Sequence, residues 1–254
     1  MRNLCPFSLY VHAAGSSGVL APDGAQLATG QVRWYDAPRE WSAARVTAFL
    51  DAARTQEIDK VEVTIGNGVI NYNVTYVDWV GLPMKMESTG SGSDCRPVSC
   101  DVPVSQLLTG CPDGLQDGRR CISARTHCLD PRHAAEPYCH KLDDEVQRCA
   151  RDKPGCAGAA GATTAEAYAC SGFFGGSPKW CAALNRGMLD APDDPDKSHY
   201  YQREPHDTYA RWVHQRCPGV YAFAYDDYPS NAEESGFHAC QGGRELRITF
   251  CPAG

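Results

Sequence analysis

Basic clusters and long apolar runs are both missing from this sequence of 254 residues. Its 24 lysines and arginines are outnumbered by 31 aspartates and glutamates, and no segment concentrates the basic residues. We therefore expect no binding to nucleic acid, because that binding depends on a basic surface. No apolar run approaches the roughly 18 residues of a transmembrane helix, so no membrane span is expected.

The sequence also lacks the motifs of several common catalytic and cofactor sites. It has neither a G-x-S-x-G nucleophile motif nor a phosphate-binding loop. His127 and Cys128, with Cys139 and His140, bring histidine and cysteine together, but their spacing does not match zinc-binding motifs. Cysteines that are joined in disulfides cannot bind a metal or act as nucleophiles. We therefore expect no metal and no other cofactor.

Cysteine is absent from residues 6–94 but frequent in the rest of the chain. The total of 14 is even and high, which predicts disulfides throughout, an oxidising compartment and therefore a secreted protein. Only four residues precede Cys5, too few for a signal peptide, so we expect the sequence to begin at the mature chain. The distribution predicts a conventional core from residues 1–94 and 217–254 and a disulfide-rich region at 95–216.

A β-hairpin is the clearest local prediction. Residues 61–65 and 69–77 alternate between apolar and polar side chains, and Gly66, Asn67 and Gly68 separate them. Because successive side chains of a strand point to opposite faces, the valines of the first run face the core and Glu62 faces a polar surface.

Other periodic segments are shorter. The spacing of apolar residues predicts helices at 43–54, 136–151 and 205–215. Alternation returns at 221–225 and 246–250, which predicts two further strands near the end of the chain. A core of strands with a few short helices follows from these patterns.

Three blocks of the sequence resemble the thaumatin-like protein family. They are CPF at 5–7, VTYVDWVGLPMKM at 74–86, and CPGVYAFAYDD at 217–227 with ITFCP at 248–252, in the order of the family. YACSGFFGGSPKWC at 168–181 and HYYQREPHDTYARWVHQRC at 199–217 support the resemblance. It implies a mainly β fold: a flattened β-sandwich of about ten or more strands, a disulfide-rich and partly helical inserted region, and an acidic cleft between them.

The resemblance also implies a disulfide pattern, although this chain departs from the family in its cysteines. The first third lacks the family's cysteines after Cys5, and an additional cysteine-rich insert lies at about 127–161. The insert cysteines are expected to pair among themselves in an order that the sequence leaves open: Cys128, Cys139, Cys149 and Cys156. The implied pairs elsewhere are Cys5 with Cys251, Cys95 with Cys240, Cys100 with Cys217, Cys111 with Cys121, and Cys170 with Cys181.

Candidate catalytic residues are carboxylates. Hydrolysis of a glycosidic bond needs one carboxylic acid to protonate the leaving oxygen and a second carboxylate as nucleophile or base. The resemblance implies that Glu62, Asp78 and Asp226 line the cleft, with Glu62 as general acid and either aspartate as its partner. An exposed glutamate within a strand is ordinarily only solvated, however, and both aspartates suit ordinary turns.

Four further residues are candidates for binding substrate. Asn73 stands where the family has another aspartate, and an asparagine cannot act as a base. Arg45 is the candidate for the family's cleft arginine, Asp227 follows Asp226, and Trp79 offers an aromatic face on which a sugar ring can stack. Asn73 also begins a glycosylation sequon, and a glycan there would crowd the cleft.

Two functions remain open from the sequence. The first is a secreted endo-β-1,3-glucan hydrolase that uses the cleft carboxylates. The second is a non-catalytic module that binds glucan or recognises another protein, as an antifungal protein does. In either case we expect a monomer whose partner is a polysaccharide, β-1,3-glucan.

Overall fold

A computed structural model describes residues 1–90, 92, 94–229 and 236–253. Within these residues, strands form three sheets and five α-helices lie between residues 124 and 216. The mainly β class is thus confirmed. The strands are β1 (Arg2–Asn3), β2 (Leu9–Gly15), β3 (Gly18–Val19), β4 (Ala25–Leu27), β5 (Trp41–Phe49), β6 (Glu57–Gly66), β7 (Val69–Val74), β8 (Trp79–Val80), β9 (Met84–Thr89), β10 (Val98–Ser99), β11 (Gln116–Asp117), β12 (Arg120–Ile122), β13 (His238–Gln241) and β14 (Glu245–Phe250).

The helices occupy the disulfide-rich part of the chain. The α-helices are α1 (Ala124–Leu129), α2 (Asp143–Asp152), α3 (Thr164–Ala169), α4 (Pro178–Arg186) and α5 (Thr208–Arg216). Short 3₁₀ helices lie at Val104–Gln106, Pro137–His140, Ala157–Ala159, Gly172–Gly176 and Lys197–His199. No helix in the described part of the chain has the length and apolar character needed to cross a membrane.

The largest sheet has the order β13-β7-β6-β5-β2-β3, with β4 also paired to β2. A second sheet has the order β1-β14-β9-β10, and a small third sheet has the order β11-β12-β8. Apolar side chains from the two larger sheets join one buried cluster, for example Val61 and Tyr72 from the first and Met86 and Ile248 from the second. The polar face of β6 is therefore left on the side of the largest sheet away from that core.

The predicted hairpin is present as β6 and β7. Val61 pairs with Val74 and Ile65 pairs with Ile70 in the antiparallel register. Asn67 and Gly68 both have positive φ, 52° and 74°, which is the geometry of the two-residue turns that match the twist of a hairpin. The second strand ends at Val74, three residues earlier than the sequence predicts.

The helix predicted at 43–54 is wrong, because residues 43–49 belong to strand β5 and residues 50–54 turn after it. Ala44, Val46 and Ala48 are buried at every second position, the period of a strand. β5 lies between β2 and β6, so its backbone groups are paired on both sides. The helical spacing of apolar residues in this segment was coincidental, and pairing within the sheet decided the structure.

The strand predicted at 221–225 is also wrong. Only Tyr221 forms a bridge, to Thr75, and the residues after it turn. The Asp226 carboxylate accepts a hydrogen bond from the backbone N–H of Ala222 and so closes this turn locally. The strand predicted at 246–250 is confirmed as β14.

The two other predicted helices are present with different bounds. The segment 136–151 divides into the 3₁₀ helix Pro137–His140 and α2. The segment 205–215 contains α5, which begins at Thr208 because the Asp207 side chain accepts a hydrogen bond from the N–H of Tyr209 and caps the helix.

All cysteines are paired in seven disulfides. Cys5–Cys251, Cys95–Cys240, Cys100–Cys217, Cys111–Cys121 and Cys170–Cys181 are the same pairs that the resemblance implies. The insert cysteines pair in sequence order, Cys128 with Cys139 and Cys149 with Cys156. Leu142 and Val146 of the insert are fully buried and join the same core cluster as the sheets.

Asp59 accepts hydrogen bonds from the backbone of residues 81–82, in the segment that follows Asp78. It is buried, and its Oδ2 accepts hydrogen bonds from the N–H groups of Gly81 at 2.8 Å and Leu82 at 3.0 Å. We expect Asp59→Ala to lower the free energy of unfolding by about 2–3 kcal/mol, because two buried N–H groups lose their acceptor. Urea unfolding at neutral pH measures the loss.

Asp59→Asn is the matched control, because its amide oxygen still accepts a hydrogen bond. It should cost clearly less stability than Asp59→Ala. An alanine variant as stable as the parent would show that Asp59 does not support this segment.

Candidate active site

Glu62 lies in a row of polar side chains that crosses three strands. The register places it opposite Arg45 on β5 and Asn73 on β7. The Arg45 Nε lies 3.3 Å from the Glu62 Oε1, and the Glu62 side chain is 38% exposed. An ion pair this open to solvent adds little to stability. Both groups therefore remain accessible to a ligand.

Asn73 differs from its two neighbours because it is only 9% exposed. Its Oδ1 has no hydrogen-bond partner among the described residues, which is uncommon for a buried polar atom. So little exposure also leaves little room for a glycan at this residue.

The row opens into a concave surface of about 610 Å³. Its lining includes Arg45, Glu62, Asn73, Thr64, Asn71 and Phe237. Phe237 is the aromatic member of this set. A concave surface with a few convergent polar groups and an aromatic side chain is typical of a ligand site.

Asp78 lies near the same face of β6. Lys60 precedes Glu62 by two residues, so the two side chains leave the strand on the same side. The Lys60 Nζ lies 2.6 Å from the Asp78 Oδ2, and the Arg125 Nη1 lies 3.1 Å from the Asp78 Oδ1. Asp78 is 26% exposed, and each of its carboxylate oxygens contacts one cationic side chain.

Trp79 contacts cations with its ring. The Lys60 ammonium lies 4.3 Å from the ring centroid and the Arg120 guanidinium 4.7 Å from it. The indole N–H donates a hydrogen bond to the carbonyl of Ile58. The ring thus helps to fix Lys60 beside Asp78.

Asp226 lies in a different environment from Glu62 and Asp78. Its side chain is 4% exposed, with Oδ1 at 3.0 Å from Arg186 and Oδ2 at 2.7 Å from the Nε2 of His214. Burial alone would raise the pKa of Asp226, but the nearby His214 and Arg186 hold it below its usual value. Asp226, Arg186 and His214 line a separate cavity of about 380 Å³.

Tyr221 is influenced by the charges of both Asp226 and Glu62. Burial raises its pKa well above the usual value, and the negative charges of Asp227, Asp226 and Glu62 raise it further. Asp227 also hydrogen-bonds the phenol. Asp227 therefore lies beside Tyr221, whose phenol is influenced by both Asp226 and Glu62.

Lys60 and Arg125 were not predicted from the sequence. Lys60 shares the strand parity of Glu62, a signal that could have placed it on the polar face. Arg125 reaches Asp78 from helix α1, across 47 residues of sequence, and no local pattern indicates that contact.

Comparison with known proteins gives matches along nearly the whole chain. Thaumatin-like protein 2 of Prunus persica is 25% identical over 277 aligned positions that cover 99% of this chain and 88% of the relative. The resemblance to the thaumatin-like family is confirmed. A glucan endo-1,3-β-glucosidase of Prunus avium is also 25% identical, over 75% of this chain and 52% of that protein.

A β-1,3-glucanase family, glycoside hydrolase family 64, matches residues 161–250 of this chain. Among solved structures, a β-1,3-glucanase domain of the same family from Clostridium beijerinckii aligns with a TM-score of 0.75 at 14% identity, covering 98% of this chain and 96% of that one. A laminaripentaose-producing β-1,3-glucanase from Paenibacillus barengoltzii, complexed with laminarihexaose, aligns with a TM-score of 0.66 at 18% identity, covering 95% and 70%. These structures share the fold.

Proposed function

We propose that this chain is a secreted hydrolase of β-1,3-glucan, with Glu62 as general acid and Asp78 as the second carboxylate. The observation that carries the proposal is the placement of two partly exposed carboxyl groups near one face of β6. Glu62 leaves the strand on that face, and Lys60, which leaves it on the same side, contacts Asp78. The names of the relatives support the substrate, since they include a glucan endo-1,3-β-glucosidase and a glucanase complexed with laminarihexaose. The seven disulfides support secretion.

The surroundings of the two carboxyl groups suit different roles. Lys60 and Arg125 each contact one oxygen of Asp78, which orients this carboxyl group for a role as base or nucleophile. The Glu62 carboxyl group contacts the exposed Arg45 and is itself 38% exposed, so a leaving oxygen can approach it from solvent. Glu62 would protonate the leaving oxygen. The anomeric carbon would be attacked either by Asp78 itself or by a water that Asp78 deprotonates, and the glycosidic bond would break.

Asp226 does not serve this proposal. Its two carboxylate oxygens already face Arg186, His214 and the N–H of Ala222, and its side chain is almost fully buried. A group in that state cannot reach a polysaccharide without breaking these contacts. We assign it a structural role instead.

Glucan binding without hydrolysis is the second candidate function. The observation that favours it is Asn73, which brings an amide to the position where the family has an aspartate. Arg45, Asn73 and Phe237 would then hold the sugar chain, while the protein lacks one acidic group of the cleft.

Two assays on the same preparation separate the candidates. The purified protein is expected to bind insoluble β-1,3-glucan in a pull-down and to release reducing sugar from soluble β-1,3-glucan. Cellulose, a β-1,4-glucan, is the control polymer for both assays. Binding without release of sugar would favour the second candidate, and neither binding nor release would reject both.

A further inference from the structure

A cluster of two histidines and one glutamate lies in the insert, apart from Glu62 and Asp78. The His127 Nε2 is 2.8 Å from one carboxylate oxygen of Glu136, and the His133 Nδ1 is 2.7 Å from the other. One potential donor atom from each residue lies within 4.8 Å of the others. Imidazole nitrogen and carboxylate oxygen are both common zinc ligands.

The chain holds these three residues together in a closed loop. His127 lies in α1, directly before Cys128, and Glu136 directly precedes the 3₁₀ helix that contains Cys139. The disulfide between Cys128 and Cys139 joins the two helices at this point. The donor atoms are therefore brought together before any ligand binds, which lowers the entropic cost of binding one.

His127 is buried, and only one of its two ring nitrogens has a partner among the described residues. It is 3% exposed, its ring stacks on His133 with centroids 4.2 Å apart and lies edge-on to Tyr138, and its Nε2 contacts Glu136. Its Nδ1 has no hydrogen-bond partner among the described residues. Burying a half-paired imidazole costs free energy, and such groups are frequent at functional sites.

We propose that His127, His133 and Glu136 bind a zinc ion. A tetrahedral ion at about 2.1 Å from each donor needs the donors about 3.4 Å apart. The two contacts between histidine and glutamate, at 2.8 and 2.7 Å, are shorter than this by roughly 0.6–0.7 Å. Glu136, whose side chain is 45% exposed, can move outward by this amount. Three protein ligands leave a fourth position for water.

The site would stabilise the segment that carries Asp78. Helix α1 is hydrogen-bonded to that segment, because the N–H of Ser123 and the hydroxyl of Thr126 both donate to the carbonyl oxygen of Asp78, at 2.8 and 2.9 Å. A metal that fixes the other end of α1 at His127 would hold this helix in place. We therefore infer that the bound ion stabilises helix α1, an effect that does not depend on glucan hydrolysis, at a site that stays open at its fourth position.

Zinc titration of the chelator-treated full chain by calorimetry tests the proposal. The expected result is one zinc ion per chain, together with a higher midpoint of thermal unfolding in the presence of zinc. His133→Gln and Glu136→Gln should each weaken zinc binding at least tenfold and abolish the thermal shift. Both residues are partly exposed, so these variants are expected to fold, and circular dichroism checks that they do.

His140→Gln is the matched control. His140 lies in the same insert and contacts Asp143, outside the cluster. The His140→Gln variant should bind zinc as tightly as the parent does. The proposal is overturned if the parent takes up no zinc, if His133→Gln and Glu136→Gln bind zinc as tightly as the parent, or if His140→Gln weakens binding as much as they do.

Discussion

Glu62→Gln is expected to lower the rate of β-1,3-glucan hydrolysis at least about 100-fold, the usual scale of general acid catalysis. Glutamine keeps the shape of the side chain and can still accept a hydrogen bond from Arg45, which lies 3.3 Å away. It cannot donate a proton to the leaving oxygen. Glucan binding should therefore stay nearly unchanged, so that kcat falls and the affinity in a pull-down does not.

Glu87→Gln is the matched control for this prediction. Glu87 is also a partly exposed strand glutamate paired with cations, Lys85 and Arg247, but it lies on β9 of the other sheet. Its replacement should leave hydrolysis at the parent rate. If Glu62→Gln hydrolyses glucan as fast as the parent, Glu62 is not the general acid.

The polar face of the largest sheet could be predicted from the sequence. Alternation in 61–65 placed Glu62 opposite the core, and the turn at Asn67 and Gly68 fixed the register that puts Asn73 beside it. A two-residue turn leaves a hairpin only one register, and a period of two leaves each side chain only one face. This part of the candidate site follows from local rules alone.

The environment of each aspartate could not be predicted in this way. The motif at 217–227 predicted a strand with Asp226 in the cleft, whereas the side chain turns inward to Arg186 from α4 and His214 from α5. These partners lie 40 and 12 residues away in the chain. Arg186 and His214 reach Asp226 only because α4 and α5 pack against the turn. No periodic pattern in the sequence indicates that packing.

Contacts between residues distant in sequence also decided the structure of the segment 43–54 and of the insert. Strand β5 has apolar residues at helical spacing by coincidence, and only its two neighbours in the sheet, β2 and β6, decide its structure. In the insert, the sequence placed His127 beside Cys128 and close to Cys139 and His140. The residues that lie near it are instead His133 and Glu136, which the disulfide between Cys128 and Cys139 brings close.

Asp226→Asn is expected to lower the free energy of unfolding by about 3–5 kcal/mol, the cost of leaving a buried charge without its partner. Arg186 is as deeply buried as Asp226, and asparagine cannot neutralise its guanidinium. The effect should depend on pH. Because the folded pKa of Asp226 lies below the usual value of an aspartate, its contribution is present above that usual value and is lost as the pH falls through the lowered folded pKa. The difference between parent and variant in urea unfolding should therefore narrow in acid.

Asp227→Asn controls for the loss of one negative charge in the same turn. Asp227 is only partly buried, so its replacement should change stability by about 0.5 kcal/mol or less. At a temperature where Asp226→Asn remains folded, each folded molecule should hydrolyse glucan at a rate close to the parent's, because Glu62 and Asp78 are intact. A variant that is as stable as the parent but inactive would instead place Asp226 in the chemistry, and the buried contacts with Arg186 and His214 would then have to open for substrate to reach it.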